Sequence, residues 1–313
     1  MVQRLLSAAG SGRIPAVQTA YFMGLDHHSH EHGPAGQPAY LADVVDPLVG
    51  ALLDGLAPHG WLRGTLVVVV SDHGQIEVIP DDRHSLRLSF PFDREMGYLF
   101  DALHLDVHDK PSEDPNCDAV VACNGGLAHI YLQNRAGARR DRPRFEHDIL
   151  PVARDFWDAN QSERYAEDLH GALAGILARD VEHEGWHAPY HAWTPQGRFL
   201  AAEWLASRGV PVVEDAARLA RLAGPTSGDL LLISDYEQGF YFGSPTTGVH
   251  GGLHPEDSRA VLSFGWQGAS PSQLAHLRET VSGVVGDRMR RDGRQFPSVV
   301  DLLPALGALF GWE

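Results

Sequence analysis

The sequence predicts an α/β protein in which a mostly parallel central sheet is flanked by helices. Three observations carry that expectation. Leu66–Val70 is one leucine followed by four valines, a wholly apolar, largely β-branched run of the kind buried on both faces of a parallel sheet. Asp229–Ser234 holds a second compact apolar run, Leu-Leu-Leu-Ile. Around these runs lie stretches such as Tyr40–Leu56 and Phe145–Arg179, rich in helix formers or in apolar residues at helical spacing.

Bulk properties narrow the class. With 313 residues, 43% of them hydrophobic and 21% charged, the chain can bury a sizeable core. It reads as one domain over 1–313, with inserted loops at about 75–118 and 133–225. A formal net charge of −16 argues against a protein that binds a nucleic-acid backbone. It leaves room for a small anionic substrate, because bound metal cations reverse the local field. Cys117 and Cys123 form neither a disulfide framework nor a Cys-x-x-Cys pair, and read as reduced thiols in a non-oxidising compartment. No apolar run approaches the ~20 residues of a membrane span, and Met1–Arg13 lacks a signal-peptide core. A cytoplasmic location is expected, unless an export signal precedes Met1.

Taken in order, Ile14–Gly24 reads as a buried strand through Ala16, Val17, Thr19, Tyr21 and Phe22, emptying into Asp26-His27-His28-Ser29-His30-Glu31-His32 and closing at Gly33-Pro34. Tyr40–Leu56 reads as a helix that kinks or begins at Pro47. Leu66–Val70 follows as a strand and stops at Asp72-His73-Gly74. Strand, helix and strand in this order predict a βαβ crossover with both ligand-bearing ends at one edge. Gln75–Asp118 is irregular. Ala119–Cys123 and Ala128–Leu132 form a hairpin across Asn124-Gly125-Gly126. Phe145–Arg179 supplies one or two helices. Gly185 and Pro189 break any continuous helix through His183, His187 and His191. Phe199–Arg208 and Glu214–Leu222 read as helices, Asp229–Ser234 and Ala260–Phe264 as strands, and Val299–Leu309 as an amphipathic helix packing on the sheet.

Three segments therefore supply metal-type ligands: Asp26 with His30, Asp72 with His73, and His250. Carboxylate oxygen and imidazole nitrogen suit zinc, and also manganese or iron. An Asp-His pair after a strand is by itself commonly a cap or turn, and a histidine tract is commonly a solvated segment. Three segments of matching type, each after a strand, shift the balance to a site. A dinucleotide-binding oxidoreductase is disfavoured, since no strand is followed by Gly-x-Gly-x-x-Gly.

Asp26-x-x-x-His30 with Gly33-Pro34, then Ser71-Asp72-His73-Gly74, then Gly248-x-His250-Gly251, stand in the order seen in the alkaline phosphatase superfamily. The chain most resembles its type I phosphodiesterase / nucleotide pyrophosphatase branch, from about Tyr21 to Phe264. The resemblance implies an alkaline-phosphatase-like fold and a hydrolase acting on phosphodiesters or phosphomonoesters through two divalent ions, zinc or manganese. It implies that Asp26, His30 and His250 hold one ion and that Asp72 and His73 hold the other, with His254 lining the substrate site. Members of the family begin with a strand ending in a metal-binding Asp and a helix starting at a nucleophilic Thr or Ser. Only Met1–Leu25 precede the first motif here, so the nucleophile and one ligand of the second ion are expected to be missing, in an N-terminally incomplete enzyme. Alternatives are a non-catalytic metal-binding or interaction domain, or a sulfatase, phosphonate hydrolase or phosphomutase of the same superfamily; neither cysteine sits in a sulfatase signature.

Overall fold

The computed structural model describes residues 4, 7, 10–11, 16–88, 95–109, 116–138, 140–162, 169–209 and 215–312. The chain divides into two compact units, one formed by Met1–Gly74 with Ala260–Glu313 and the other by Gln75–Arg259. Their strands, in chain order, are β1 (Leu66–Val70), β2 (Ile76–Glu77), β3 (Ser85–Leu86), β4 (Val107–His108), β5 (Ala119–Asn124), β6 (Leu127–Leu132) and β7 (Leu173–Arg179). There follow β8 (Tyr190–Thr194), β9 (Gly197–Leu200), β10 (Leu230–Ser234), β11 (Tyr241–Phe242), β12 (Gly248–Val249) and β13 (Leu262–Trp266).

The 75–259 unit is built on a seven-stranded sheet in the order β4-β5-β6-β10-β7-β8-β9. Only β4 and β5 run parallel; every other neighbouring pair in this sheet is antiparallel. The expectation of a mostly parallel sheet is thus corrected to a mixed, mainly antiparallel one. The connections explain the outcome, because a parallel neighbour needs a crossover of about a dozen residues or more whereas an antiparallel one needs only a tight turn. Gly125-Gly126 joins β5 to β6, as the Asn-Gly-Gly signal predicts, and Pro195-Gln196 joins β8 to β9.

Apolar clusters cover both faces of this sheet. Ile176, Leu230 and Leu232 join Phe100, Phe145 and Phe156 on one face, while Leu177, Leu231 and Ile233 join Leu205, Leu219 and Tyr241 on the other. That double burial is why β7 and β10 read as continuous apolar runs. It also explains why Leu173–Arg179, expected as helix, is a strand: a run apolar on both faces has no alternation to set it apart from a buried helix. The helical part of that region is Phe145–Gln161, a π-type first turn continuing into an α-helix.

At the end of β7, Arg179 is wholly buried. Its guanidinium donates to the carbonyls of Gly228 (3.0 Å), Trp186 (2.9 Å), Gly224 (2.9 Å) and Ser227 (2.6 Å). It lies over the Tyr190 ring, 5.4 Å from the centroid, and 3.9 Å from the Asp229 carboxylate. Burial pushes the Asp229 carboxyl up to about 6, against the pull of the Leu132 N–H and of Arg179.

In the other unit, β1 pairs antiparallel with β13, Val68 opposite Phe264. Val69 and Val70 stand 54% and 43% exposed, so the strand expected to be buried on both faces of a parallel sheet is instead half of a two-stranded ribbon. Composition made it a strand; it did not choose the partner. Of the strand expected at Ile14–Gly24, residues 14–15 lie outside the described set and 16–23 form no strand. Gly24–His32 is a helix, so the βαβ crossover is also corrected. Residues 37–56 are helical throughout, with a π-type turn at Leu41–Val45 ahead of Pro47. A proline ring collides with the preceding turn and lacks an N–H, and widening that turn accommodates both. Leu302–Phe310 packs on a long helix, Pro271–Asp292. The two are joined through buried Asp301, which accepts from Arg294 (3.0 and 2.6 Å) and Arg288 (2.8 Å).

Among the described residues no helix is long and apolar enough to cross a membrane. Removing the Arg179 guanidinium takes a donor from four carbonyls, of which Gly228 keeps the Tyr190 hydroxyl and Gly224 the Ser227 N–H, and takes the neighbouring positive charge from Asp229. Arg179→Ala is expected to cost about 3–5 kcal/mol, read as a fall in the urea midpoint; an unchanged midpoint would show that the network bears no load.

Candidate functional site

Asp26 and His30 lie on the Gly24–His32 helix rather than in a loop after a strand. The four-residue spacing puts them one turn apart on one face, with His30 Nε2 3.4 Å from Asp26 Oδ1 and both side chains part-exposed. Asp26 in the first turn suits the positive end of the helix dipole. Gly33, at φ 76°, ends the helix and donates its N–H to the Ser29 carbonyl at 2.9 Å. Buried Ser29 accepts from the Gln37 side chain at 2.8 Å, fixing this helix to the segment after it.

The other histidines of the tract have separate roles. His28 stacks between His32 and Tyr40, with centroids 4.2 and 4.7 Å away. His27 is exposed and lies 3.4 Å from Glu31. Only His30 shares its face with Asp26.

Asp72 and His73 follow β1 directly, as the sequence predicts. His73 Nδ1 lies 2.9 Å from the Gly74 carbonyl. A carbonyl only accepts, so Nδ1 donates to it, the kind of anchor that also orients metal-ligating histidines from behind. Asp72 is largely exposed; one of its oxygens accepts from the His73 N–H at 3.2 Å and lies 3.7 Å from His73 Nε2. Asp26 and His73 offer ligand atoms within 4.8 Å of each other. Two of the sequence motifs thus meet inside one unit, across the division into two ligand sets that the resemblance implies. Their donors, one carboxylate oxygen and one imidazole nitrogen, suit zinc or manganese.

His250 belongs to the 75–259 unit, immediately after β12, and is half-buried. β12 pairs antiparallel with β2, Val249 opposite Ile76. The His250-Gly251-Gly252 segment lies against the β5–β6 turn and is hydrogen-bonded through Gly252 to buried Asp257. Burial pushes the Asp257 carboxyl up, while the Gly252 N–H, the Ser258 hydroxyl and the Arg218 charge pull it down. His254 caps the short Pro255–Ser258 helix: its Nδ1 accepts from the Glu256 N–H (3.1 Å), and its Nε2 lies 3.2 Å from Glu237. Both ring nitrogens are engaged within its own neighbourhood. His183 likewise serves as a local partner, 2.8 Å from Asp180, and His191 sits on β8, so the four-residue histidine spacing there gathers no site.

Sequence reasoning passed over the bracing of the His250 segment by Asn124, Gly125, Gly126, Arg218 and Asp257. The Asn-Gly-Gly signal was legible only as a hairpin. The helical setting of Asp26 and His30 also had signals, namely the i,i+4 spacing and the Gly33-Pro34 stop.

Compared with known families, residues 1–208 match the family described as Type I phosphodiesterase / nucleotide pyrophosphatase. The matched stretch contains Asp26, His30, Asp72 and His73; His250 lies beyond it. No curated protein matches the chain.

Titration of the full chain with Zn2+ tests the ligands directly. Asp26→Ala and His73→Ala are each expected to weaken binding roughly tenfold or more, while His27→Ala leaves it unchanged. Equal affinities in all three would remove Asp26 and His73 from the ligand set.

Proposed function

Because the chain belongs to the type I phosphodiesterase / nucleotide pyrophosphatase family of the alkaline phosphatase superfamily, whose members hydrolyse phosphoester bonds, we propose that it is a metal-dependent hydrolase of small phosphate esters using a two-ion site. The observation that carries the reading is the gathering of Asp26 and His73, with His30 on the same helix face as Asp26, inside the family-matched stretch. In the proposed arrangement Asp26, His30 and His250 hold one ion and Asp72 and His73 the other, as the ordered motifs imply. Zinc is the ion proposed, with manganese as the alternative. Bound divalent ions of this kind supply Lewis-acid stabilisation of phosphoryl oxygens and activation of an attacking group.

The chain's own residues do the rest. Asp26 and His30 present an oxygen and a nitrogen from one rigid helix face. His73, its Nδ1 directed at the Gly74 carbonyl, would give Nε2 to a cation. Asp72, just after β1, adds a solvent-exposed carboxylate. No side chain among these is assigned as nucleophile. The net charge of −16 favours a small ester over a polyanion.

Hydrolysis of bis(p-nitrophenyl) phosphate by the zinc-loaded protein tests the reading. Chelation is expected to abolish turnover and added Zn2+ to restore it, with Asp72→Ala lowering kcat/KM by roughly a hundredfold. Turnover untouched by chelator, or by Asp72→Ala with metal still bound, would overturn it.

A further inference from the structure

We propose that the Asn124-Gly125-Gly126 turn, together with buried Asp257 and Arg218, is a positioning device that fixes the backbone of the His250 segment so that its imidazole is held in a ligating pose. The proposal rests on the reading of His250 as a metal ligand. Everything that carries it lies within the 75–259 unit.

On one side of the segment, main chain meets main chain. A Cβ on Gly125 would come 1.8 Å from the His250 carbonyl oxygen, and one on Gly126 would come 2.7 Å from Gly252 Cα. Conversely, a Cβ on Gly251 would meet Asn124 at 2.8 Å. Two glycine-bearing turns therefore interlock at a distance that no side chain permits. The β5–β6 turn is itself anchored: Gly125 exchanges hydrogen bonds with Phe242 (3.1 and 2.7 Å), and the Gly126 carbonyl accepts from the N–H of buried Ser234 at 3.2 Å. It can act as a fixed stop.

The other side is clamped by charge. Asp257, 3% exposed, accepts from the Gly252 N–H at 2.6 Å and from the Ser258 hydroxyl at 3.0 Å. Arg218 donates to the carbonyls of Gly252 (3.3 Å) and Leu253 (3.4 Å) and to the Ser258 hydroxyl. The Gly252 N–H and C=O are thus both held by buried or part-buried ions, two residues after His250. A buried carboxylate is a costly way to fill space, and apolar packing commonly gives equal or greater stability. Its gain here is a single backbone geometry, and a ligating side chain needs its support held to about 0.5 Å.

Gly126→Ala is the direct probe. Gly126 has no positive φ, so alanine fits its backbone and the only demand is space. Relieving a 2.7 Å contact to an ordinary carbon–carbon distance of about 3.5–4.0 Å moves the His250 segment by on the order of 1 Å. The full chain is titrated with Zn2+ alone, with its visible spectrum recorded after Co2+ loading and thermal unfolding followed in parallel. His250→Ala calibrates the ligand, and Gly64→Ala, which has no atom within 4 Å of the added Cβ, is the control. Gly126→Ala is expected to keep a cooperative transition, lose roughly tenfold or more in Zn2+ affinity and alter the Co2+ spectrum, while Gly64→Ala changes none of these. Full affinity in Gly126→Ala alongside loss in His250→Ala overturns the positioning device and leaves the metal-site reading standing. Full affinity in His250→Ala overturns both. If Gly126→Ala does not fold, Asp257→Asn decides: weakened Zn2+ binding with a retained transition supports the device, and unchanged binding overturns it.

Discussion

A wholly desolvated guanidinium sets the terms for the larger unit. Arg179 is taken out of water at the end of a central strand, and such a charge is tolerated only when its donors are met. The partners are the carbonyls of Trp186, Gly224, Ser227 and Gly228, the Tyr190 ring and the Asp229 carboxylate. These groups sit at the end of β7, in its link to β8 and in the approach to β10. The strand register at the centre of the sheet and the course of the loops at its end are therefore one problem with one solution. From β10 the constraint passes to the β5–β6 turn through the Ser234–Gly126 hydrogen bond, and from that turn to the His250 segment.

Elements with a local signature were legible in the sequence. The hairpin at Asn124-Gly125-Gly126, the strands at Leu66–Val70 and Leu230–Ser234 and the helix at Asp215–Leu222 stand where turn chemistry and periodicity place them. Partners were not legible. Nothing in four consecutive valines states whether the neighbouring strand runs parallel, or whether either face meets a core. The expected parallel sheet came from reading apolar runs as the product of βαβ burial. In this chain the same runs arise from a mainly antiparallel sheet covered on both faces. Leu173–Arg179 shows the same degeneracy between a buried strand and a buried helix.

The ligand types were legible, and their setting was less so. Asp72 and His73 lie at a strand end as predicted, and Asp26 lies near His73, but it arrives there on a helix. Asp-x-x-x-His is the spacing of one helical turn, and the histidines crowded around it obscured that period. Hydrogen-bond partners outside the motifs, such as the Gly74 carbonyl behind His73 and Asp257 behind Gly252, depend on tertiary approach, and single-sequence spacing carries no record of them.

The two places where the chain leaves and re-enters the smaller unit have a consequence of their own. Ser71 and Val261 are hydrogen-bonded to each other twice, main chain to main chain at 3.0 Å and through the Ser71 hydroxyl at 2.8 Å, just beyond the last rungs of the β1–β13 ladder. The ladder thus closes the long excursion between Gly74 and Ala260 at its neck. Closure entropy rises only with the logarithm of loop length, so the length of that excursion presses little on the ribbon. Loops within the excursion can therefore lengthen or shorten while the ladder keeps Asp72 and His73 on the same strand end.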